Sequence, residues 1–165
     1  MLGAMRIVVP VLVLVVALLT AGCGSKRSAR PAESPRAAAV RVLDQIVHNH
    51  YTQAWGDLHS VDQGVAPLAE YVACETRSPV IARPLHVKVV AVNGESVGLG
   101  DGKFVESTAV DIRMAFAGSF SLVHTVHLVA EDGKWKWILP SWRFRDYKAD
   151  RCPTDSGSSP PPSNA

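Results

Sequence analysis

Hydrophobic and polar residues follow three different patterns along this chain. Residues 7–19 are uniformly apolar, residues 35–75 carry apolar side chains at intervals of three and four, and residues beyond 85 alternate. The first pattern is typical of a leader or a membrane segment, the second of amphipathic helices and the third of strands. We therefore expect a short apolar segment, then helices, then a sheet.

Two helical regions are predicted. Ser34 and Pro35 form a helix start, because serine caps free N–H groups and proline suits the first helical position. Apolar residues then recur at helical spacing as far as Leu58, which predicts one helix, or two in line with a break near Asn49. A second helical piece is expected over residues 61–75.

The second half of the chain predicts four strands. They cover residues 85–93, 104–116, 119–130 and 134–144. Asn93-Gly94 is expected to be a turn, and Asp132-Gly133 a two-residue hairpin between the last two strands. Pro140 predicts a bulge or an edge position in the last strand. Helices followed by antiparallel strands predict an α+β domain with the helices packed on one face of the sheet.

The N-terminus has the three parts of an export signal. Arg6 is the only charged residue before Lys26, an apolar run follows over residues 7–19, and small residues close it. A spanning helix needs about 20 apolar residues, and this run is shorter. We expect residues 1–22 to be a signal peptide rather than a membrane span.

The sequence Leu-Thr-Ala-Gly-Cys at residues 19–23 resembles the lipobox of bacterial lipoproteins. The resemblance implies that Cys23 receives a diacylglyceryl group and becomes the new N-terminus. Thr20 departs from the usual Leu, Val or Ile, and the alternative is an ordinary signal followed by a chance cysteine. Each buried methylene contributes about 0.8 kcal/mol, so two or three acyl chains would hold the protein permanently at the extracytoplasmic face of the cell membrane.

Two polar segments flank the predicted domain. Residues 23–34 are small and polar and predict a flexible tether. Residues 153–165 are rich in Ser and Pro and predict a disordered tail. One domain remains over residues 35–152, which is large enough to build a single core.

The charges of the chain are nearly balanced. It has 17 Lys and Arg against 15 Asp and Glu, and losing Arg6 with the signal leaves 16 against 15. Together with export, this balance argues against nucleic acid as a partner.

The cysteines predict one disulfide. Lipidation of Cys23 leaves Cys74 and Cys152, and an even pair in an oxidising compartment is typical of a bond. Because Cys74 ends a predicted helix and Cys152 follows the last predicted strand, the bond would join the helical layer to the C-terminal edge. The chain-entropy estimate for its contribution is about 4 kcal/mol. The alternative is two free buried thiols.

Four features carry a family resemblance. They are the helix leading into YTQAWGDLH at 51–59, the segment 62–74, GKWKW at 133–137, and the late Cys152. Over residues 36–152 the chain resembles the nuclear transport factor 2-like superfamily, with its cystatin-like cone, and in particular its small exported bacterial lipoproteins. The resemblance implies a curved antiparallel sheet of about four strands around a long helix, with a cavity at the wide end.

The resemblance leaves the function open. The family includes isomerases, dehydratases and hydrolases that place Asp, His or Tyr in the cone. It also includes members without catalysis, and similar domains occur as modules of cell-wall transpeptidases. The fold alone does not decide between these possibilities.

The histidines do not form a metal signature. His48 and His50 are two apart on a predicted helix, and His124 and His127 are three apart on a predicted strand, so each pair should point to different sides. The glycines of 98–102 lack the following helix of a phosphate-binding loop and predict a connection between strands. We expect neither a metal nor another cofactor.

Asp111 is the strongest candidate for chemistry. It shares a strand face with Arg113, and His124 or His127 could lie across from it. Inside a cone, a desolvated Asp beside a His could act as an acid/base pair. The alternative, which we favour, is a surface ion pair on the outer face of the sheet.

Three aromatic residues are candidates for a binding cavity. Tyr51, Trp55 and Tyr71 fall on predicted inner faces and could line a cavity for an apolar ligand. The alternative is that all three belong to the core.

Our leading hypothesis is a non-catalytic binding domain tethered to the outer face of a membrane. Its ligand would be an apolar small molecule, a lipid or an envelope protein. Because residues 120–129 are apolar on both strand faces, a second copy could cover the sheet and make a homodimer. The alternatives are a small hydrolase or isomerase using Asp111 with a histidine, and an accessory scaffold in cell-wall synthesis.

The lipobox generates a direct prediction. Intact-mass spectrometry of the native protein should show a chain that begins at Cys23 and carries acyl groups, because the small residues before it admit the peptidase. Cys23→Ala should keep its leader and carry no lipid. A native product with an intact leader or an unmodified Cys23 would contradict the lipoprotein assignment.

Overall fold

The structure, a computed structural model, describes residues 31–153. The predicted signal peptide, the lipidation site Cys23 and the predicted tail from residue 154 lie outside the described residues. Within them the fold is α+β, as predicted, with several helices and a four-stranded antiparallel sheet. Of the helices in this part of the chain, none has the length and apolar character needed to cross a membrane.

The four strands follow one another in the chain, after the first four helices and before the fifth. The helices are α1 (Pro35–Val47), α2 (Tyr51–Gly56), α3 (Ser60–Val65), α4 (Leu68–Arg77) and α5 (Ser141–Lys148). The strands are β1 (His86–Gly98), β2 (Phe104–Ala115), β3 (Ser121–Glu131) and β4 (Lys134–Trp137), in the sheet order β1-β2-β3-β4.

The predicted start and break of the first helical region are both confirmed. The Ser34 side chain accepts a hydrogen bond from the Ala37 N–H at 3.2 Å, and Pro35 opens α1. Asn49 has a φ of 61°, a left-handed conformation that ends α1 and lets α2 begin at Tyr51.

The second helical piece is two helices, so its predicted continuity is wrong. Ala66 lies outside the helical region with φ −123° and ψ 76°. It precedes Pro67, and proline disfavours a helical conformation in the residue before it. Pro67 then stands at the N-terminal cap of α4.

The last four residues of the predicted tether are held to the domain. The Trp135 indole donates a hydrogen bond to the Glu33 carbonyl at 2.8 Å. The Glu33 carboxylate also pairs with Arg41 of α1 at 2.9 Å. The chain therefore enters the domain beside β4, at the N-terminal end of α1.

The predicted hairpin at Asp132-Gly133 is confirmed. Both residues have positive φ, 48° and 74°, which a two-residue turn of this kind requires. Glu131 and Lys134 pair directly across it.

The turn predicted at Asn93-Gly94 is wrong. β1 runs through both residues, which pair with Ala109 and Thr108 of β2. The long pairing with β2 overrides the local preference of the dipeptide for a turn. The chain reverses instead over residues 99–103, which includes the glycine-rich connection expected between strands.

The last predicted strand is wrong beyond Trp137. β4 ends there, and α5 occupies most of the remaining residues. Pro140 is neither a bulge nor an edge residue: its carbonyl accepts the Phe144 N–H at 3.1 Å and so begins α5. Phe144 packs on Gly100 so closely that a Cβ there would lie 1.9 Å from the ring, and only glycine fits.

The core lies between α1 and the inner face of the sheet. Small side chains on α1 let the helix approach the strands closely, and large aliphatic side chains fill the strand side. The fully buried members of this contact are Ala38, Ala39 and Val42 on α1, Val110 and Ile112 on β2, and Leu128 on β3.

The C-terminus is fastened to α4. Cys74 and Cys152 form the predicted disulfide, with their Cα atoms 5.2 Å apart. The buried Glu75 accepts a hydrogen bond from the Tyr147 hydroxyl at 2.6 Å and contacts the Arg143 guanidinium. Because α5 replaces the predicted strand, the bond joins α4 to the segment after α5 rather than to a sheet edge.

Asp62 is a fully buried carboxyl on α3. One of its oxygens accepts the Leu139 N–H at 3.3 Å, and the other has no hydrogen-bond partner among the described residues. Burial, reinforced by the charges of Asp101 and Glu131, raises the pKa of Asp62 to about 7. Desolvation disfavours the ionised form, so folding carries a pH-dependent cost at this position.

We predict that Asp62→Asn reduces the pH dependence of stability. The folded pKa of Asp62 is above the ordinary value of 3.8. Between about pH 4 and pH 7 the folded state therefore binds more protons, and the free energy of unfolding falls as pH rises, by roughly 4 kcal/mol from this residue. Urea unfolding at several pH values measures this slope. If the variant kept the slope of the wild type, Asp62 would not be its source.

Candidate ligand-binding pocket

An apolar pocket of about 420 Å³ opens between the C-terminal half of α1 and one end of the sheet. Its volume falls within the range of small-molecule sites in proteins. We call this space the apolar pocket. It is lined by Leu43, Ile46, Val47, Val80, Ala82, Met114, Phe116, Phe120, Leu122 and His124.

The strand side of the apolar pocket follows from the register of β2 and β3. Met114 pairs with Leu122, and Ile112 pairs with His124. These side chains share the inner face of the sheet with the buried core, because side chains alternate along each strand. The lining therefore continues the core beyond the region that α1 covers.

Two phenylalanines close the strand ends. The backbone N–H of Phe116 donates to the Phe120 carbonyl at 2.8 Å across the turn between β2 and β3. The two rings lie 5.7 Å apart in a tilted arrangement. Phe120 is 59% exposed, so the aromatic pair stands at the mouth of the apolar pocket, between its interior and solvent.

Asn49 holds the opposite wall in place. Its side-chain amide donates to the Val80 carbonyl at 3.2 Å and accepts the Val80 N–H at 2.9 Å. The Tyr51 hydroxyl donates to the same Asn49 oxygen at 2.6 Å. This pairing fixes the segment around Val80 over the space beside α1. The sequence predicted Asn49 only as a helix break. Its partner Val80 is 31 residues away in the chain, so no local pattern predicts their contact.

His124 is the one polar side chain in this lining, and part of it is exposed to solvent. Desolvation by its apolar surroundings, with a smaller contribution from His127, lowers the pKa of His124. A neutral imidazole at neutral pH can donate one hydrogen bond and accept one. It can therefore orient one polar group of an otherwise apolar ligand.

The three aromatic residues proposed for a cavity lie elsewhere. Tyr51 and Tyr71 are 7% and 1% exposed and belong to the core, and burial raises the pKa of Tyr71 to about 12. The Trp55 indole donates to the Ala66 carbonyl at 2.7 Å and packs against the core. Tyr51 also borders a separate surface pocket beside α4, and none of the three lines the apolar pocket.

Asp111 lies on the outer face of the sheet. It accepts a hydrogen bond from the Thr125 hydroxyl at 2.6 Å. His127 shares this face and pairs with Glu95 at 2.6 Å. Because His124 faces the opposite side, the structure does not bring Asp111 and His124 together, and the proposed acid/base pair inside the cone is not formed.

The remaining histidines do not assemble a metal centre. His48 and His50 were expected on different helix faces, but α1 ends at Val47, before both, and their rings stack with centroids 5.9 Å apart. Across residues 31–153, no cluster of three or more His, Cys, Asp or Glu side chains could hold a metal ion.

Comparison with known proteins adds no relative. No protein-family model matches this chain, and no curated protein is significantly similar to it.

We predict that His124 titrates below its ordinary value of 6.5. The apolar lining penalises the charged imidazolium, so the ring should stay neutral until the pH falls further. A pH titration of the imidazole resonances by NMR measures the midpoint. A midpoint at or above 6.5 would mean that water reaches the ring freely and that the lining does not desolvate it.

Proposed function

We propose that this chain is an exported lipoprotein, anchored by a lipid on Cys23, whose nuclear transport factor 2-like domain binds an apolar ligand without catalysing a reaction. The apolar pocket is the observation that carries this proposal. Its lining offers nine apolar side chains and a single imidazole. The anchor would keep the domain at the extracytoplasmic face of the cell membrane.

The chemistry of the lining favours binding over catalysis. General acid/base catalysis needs a second titratable group or a positioned water beside the first. Apart from His124, the described residues of the lining carry no titratable side chain. Asp111 is on the other face of the sheet, where it bonds to Thr125.

An apolar lining selects a ligand by size and apolar surface. Each methylene buried from water contributes about 0.8 kcal/mol, so affinity grows with the length of the apolar part. The single imidazole would add one hydrogen bond and so a preference for a ligand with one polar group. These properties fit an acyl chain or a similarly elongated apolar molecule.

An interaction through the outer face of the sheet is less favoured. That face mixes exposed Val90 and Val123 with the charged Lys88 and Arg113. The cores of homodimer interfaces are more apolar than this. We therefore place the ligand in the apolar pocket rather than a second copy on the sheet.

The test is a substitution that places a larger side chain inside the apolar pocket. Leu122→Trp should lower the affinity for the neutral dye N-phenyl-1-naphthylamine by about tenfold or more, because a larger side chain occupies the space that the dye needs. Fluorescence titration of the purified protein measures the affinity.

The matched control is Val123→Trp, which makes a similar change one residue away on the exposed outer face, where Val123 is 52% exposed. It should leave the dye affinity within about twofold. If the wild type did not bind the dye, or if both variants bound it equally well, the apolar pocket would not be the binding site.

A further inference from the structure

Exposed apolar side chains occur in the two chain segments that border the apolar pocket. We define the rim as residues 81–87 and the turn at 116–120. Its most exposed apolar members are Ile81 at 91%, Leu85 at 65%, Phe120 at 59% and Val87 at 42%. Residues of this kind scattered singly are ordinary, but here they fall in two segments whose neighbouring residues Val80, Ala82 and Phe116 line the same pocket.

The rim is held at one end of the sheet. The Leu85 N–H donates to the carbonyl of Ala115, the last residue of β2, at 2.7 Å. His86 then pairs with Ala115 and opens β1. The rim therefore continues the sheet at this end. Its backbone is held by the pairing, so its apolar side chains stay at the surface.

Positive charge accompanies these apolar side chains. No acidic residue occurs between Glu75 and Glu95, nor between Asp111 and Glu131. Arg83 lies in the rim, and Lys88 pairs with Arg113 two residues in from the end of the sheet. These side chains can extend their charged groups toward the edge while their stems lie on apolar surface.

Asp44 is the acidic residue that borders this end from α1. It lies with Arg83 beside a small pocket next to the rim. Its carboxylate lies 3.1 Å from the His48 ring, a contact that is an ion pair only when the ring is protonated. The excess of charge at the rim is therefore positive.

We propose that the rim docks on an anionic lipid surface and that the apolar pocket receives an acyl chain from it. This inference rests on the proposed function and names its ligand class. Exposed Phe, Ile and Leu side chains would enter the region between head groups and acyl chains, and Arg and Lys would meet the anionic head groups. A pocket that opens within such a surface would exchange an acyl chain without exposing it to water.

The length of the predicted tether permits this orientation. Eight residue steps separate Cys23 from Pro31, and an extended chain covers at most about 29 Å over them. The entry point of the chain at Glu33 lies beside the N-terminus of α1, and Ile46 in the pocket lies about 16 Å further along the helix. The anchor and the rim can therefore reach the same bilayer.

Hydrogen–deuterium exchange tests the docking directly. The full chain, purified with its anchor, is placed in vesicles of phosphatidylcholine alone or of phosphatidylcholine with phosphatidylglycerol. With the anionic lipid, amides in residues 80–88 and 116–122 that exchange from the open surface should slow by about tenfold if about nine-tenths of the molecules are docked. With the neutral lipid the slowing should be much smaller.

Two sets of variants separate the charge from the apolar contact. The double variant Arg83→Glu with Lys88→Glu should lose the extra slowing that phosphatidylglycerol causes. The control is the double variant Arg36→Glu with Lys148→Glu, which has the same change in charge and should keep that extra slowing. Ile81→Ser with Leu85→Ser should abolish slowing in both lipids. Phe104→Ser, at the opposite end of β2 and 76% exposed in the wild type, serves as its control.

The outcomes distinguish the inference from the proposed function. Equal slowing in both lipids would overturn the anionic preference, and no slowing at the rim would overturn docking, while dye binding in the pocket would be unaffected. Loss of dye binding would overturn the pocket itself. Mass spectrometry identifies the lipids that copurify with each protein. Acyl lipids that copurify with the wild type but not with Leu122→Trp would support the acyl ligand, and equal recovery from both proteins would overturn it.

Discussion

The helix α1 is too short to cover the strands on which it packs. Its 13 residues rise about 20 Å, whereas the 12 residues of β2 extend about 40 Å. Ala38, Ala39 and Val42 bury one part of the inner face completely. Beyond Val47 the chain turns away at Asn49, and the inner face continues past the helix. The apolar pocket is a consequence of this difference in length.

The two ends of the domain are built differently. At the closed end, the Trp137 N–H donates to the Asp57 carbonyl and its own carbonyl accepts the His59 N–H, while the disulfide and Glu75 secure α5. At the open end, Asn49 holds the segment around Val80 by two hydrogen bonds. The contacts that secure α5 and β4 therefore lie away from the apolar pocket, whose wall depends on the Asn49 side chain.

The sequence predicted the order of elements well because periodicity and caps act locally. Ser34, Asn49 and Asp132-Gly133 each act within a few residues, and each is where it was expected. The errors come from longer-range effects. Asn93-Gly94 lies within a strand because both residues pair with residues of β2. The helix α5 follows Pro140, where the alternation of apolar and polar residues predicted a strand. The apolar pocket joins α1, the segment around Val80 and two strand ends, and no local pattern predicts that assembly.

The unused apolar surface supports the proposal that the domain binds an apolar partner. A soluble domain gains about 25 cal/mol for each Å² of apolar surface that it removes from water. The domain loses part of that stabilisation because Met114, Leu122 and the aromatic pair surround an open space. A longer side chain at Ala82 or a longer α1 would bury more of this surface. Such a sequence is favoured where another apolar molecule supplies the missing contact. A lipid anchor would keep that molecule at high local concentration beside the opening.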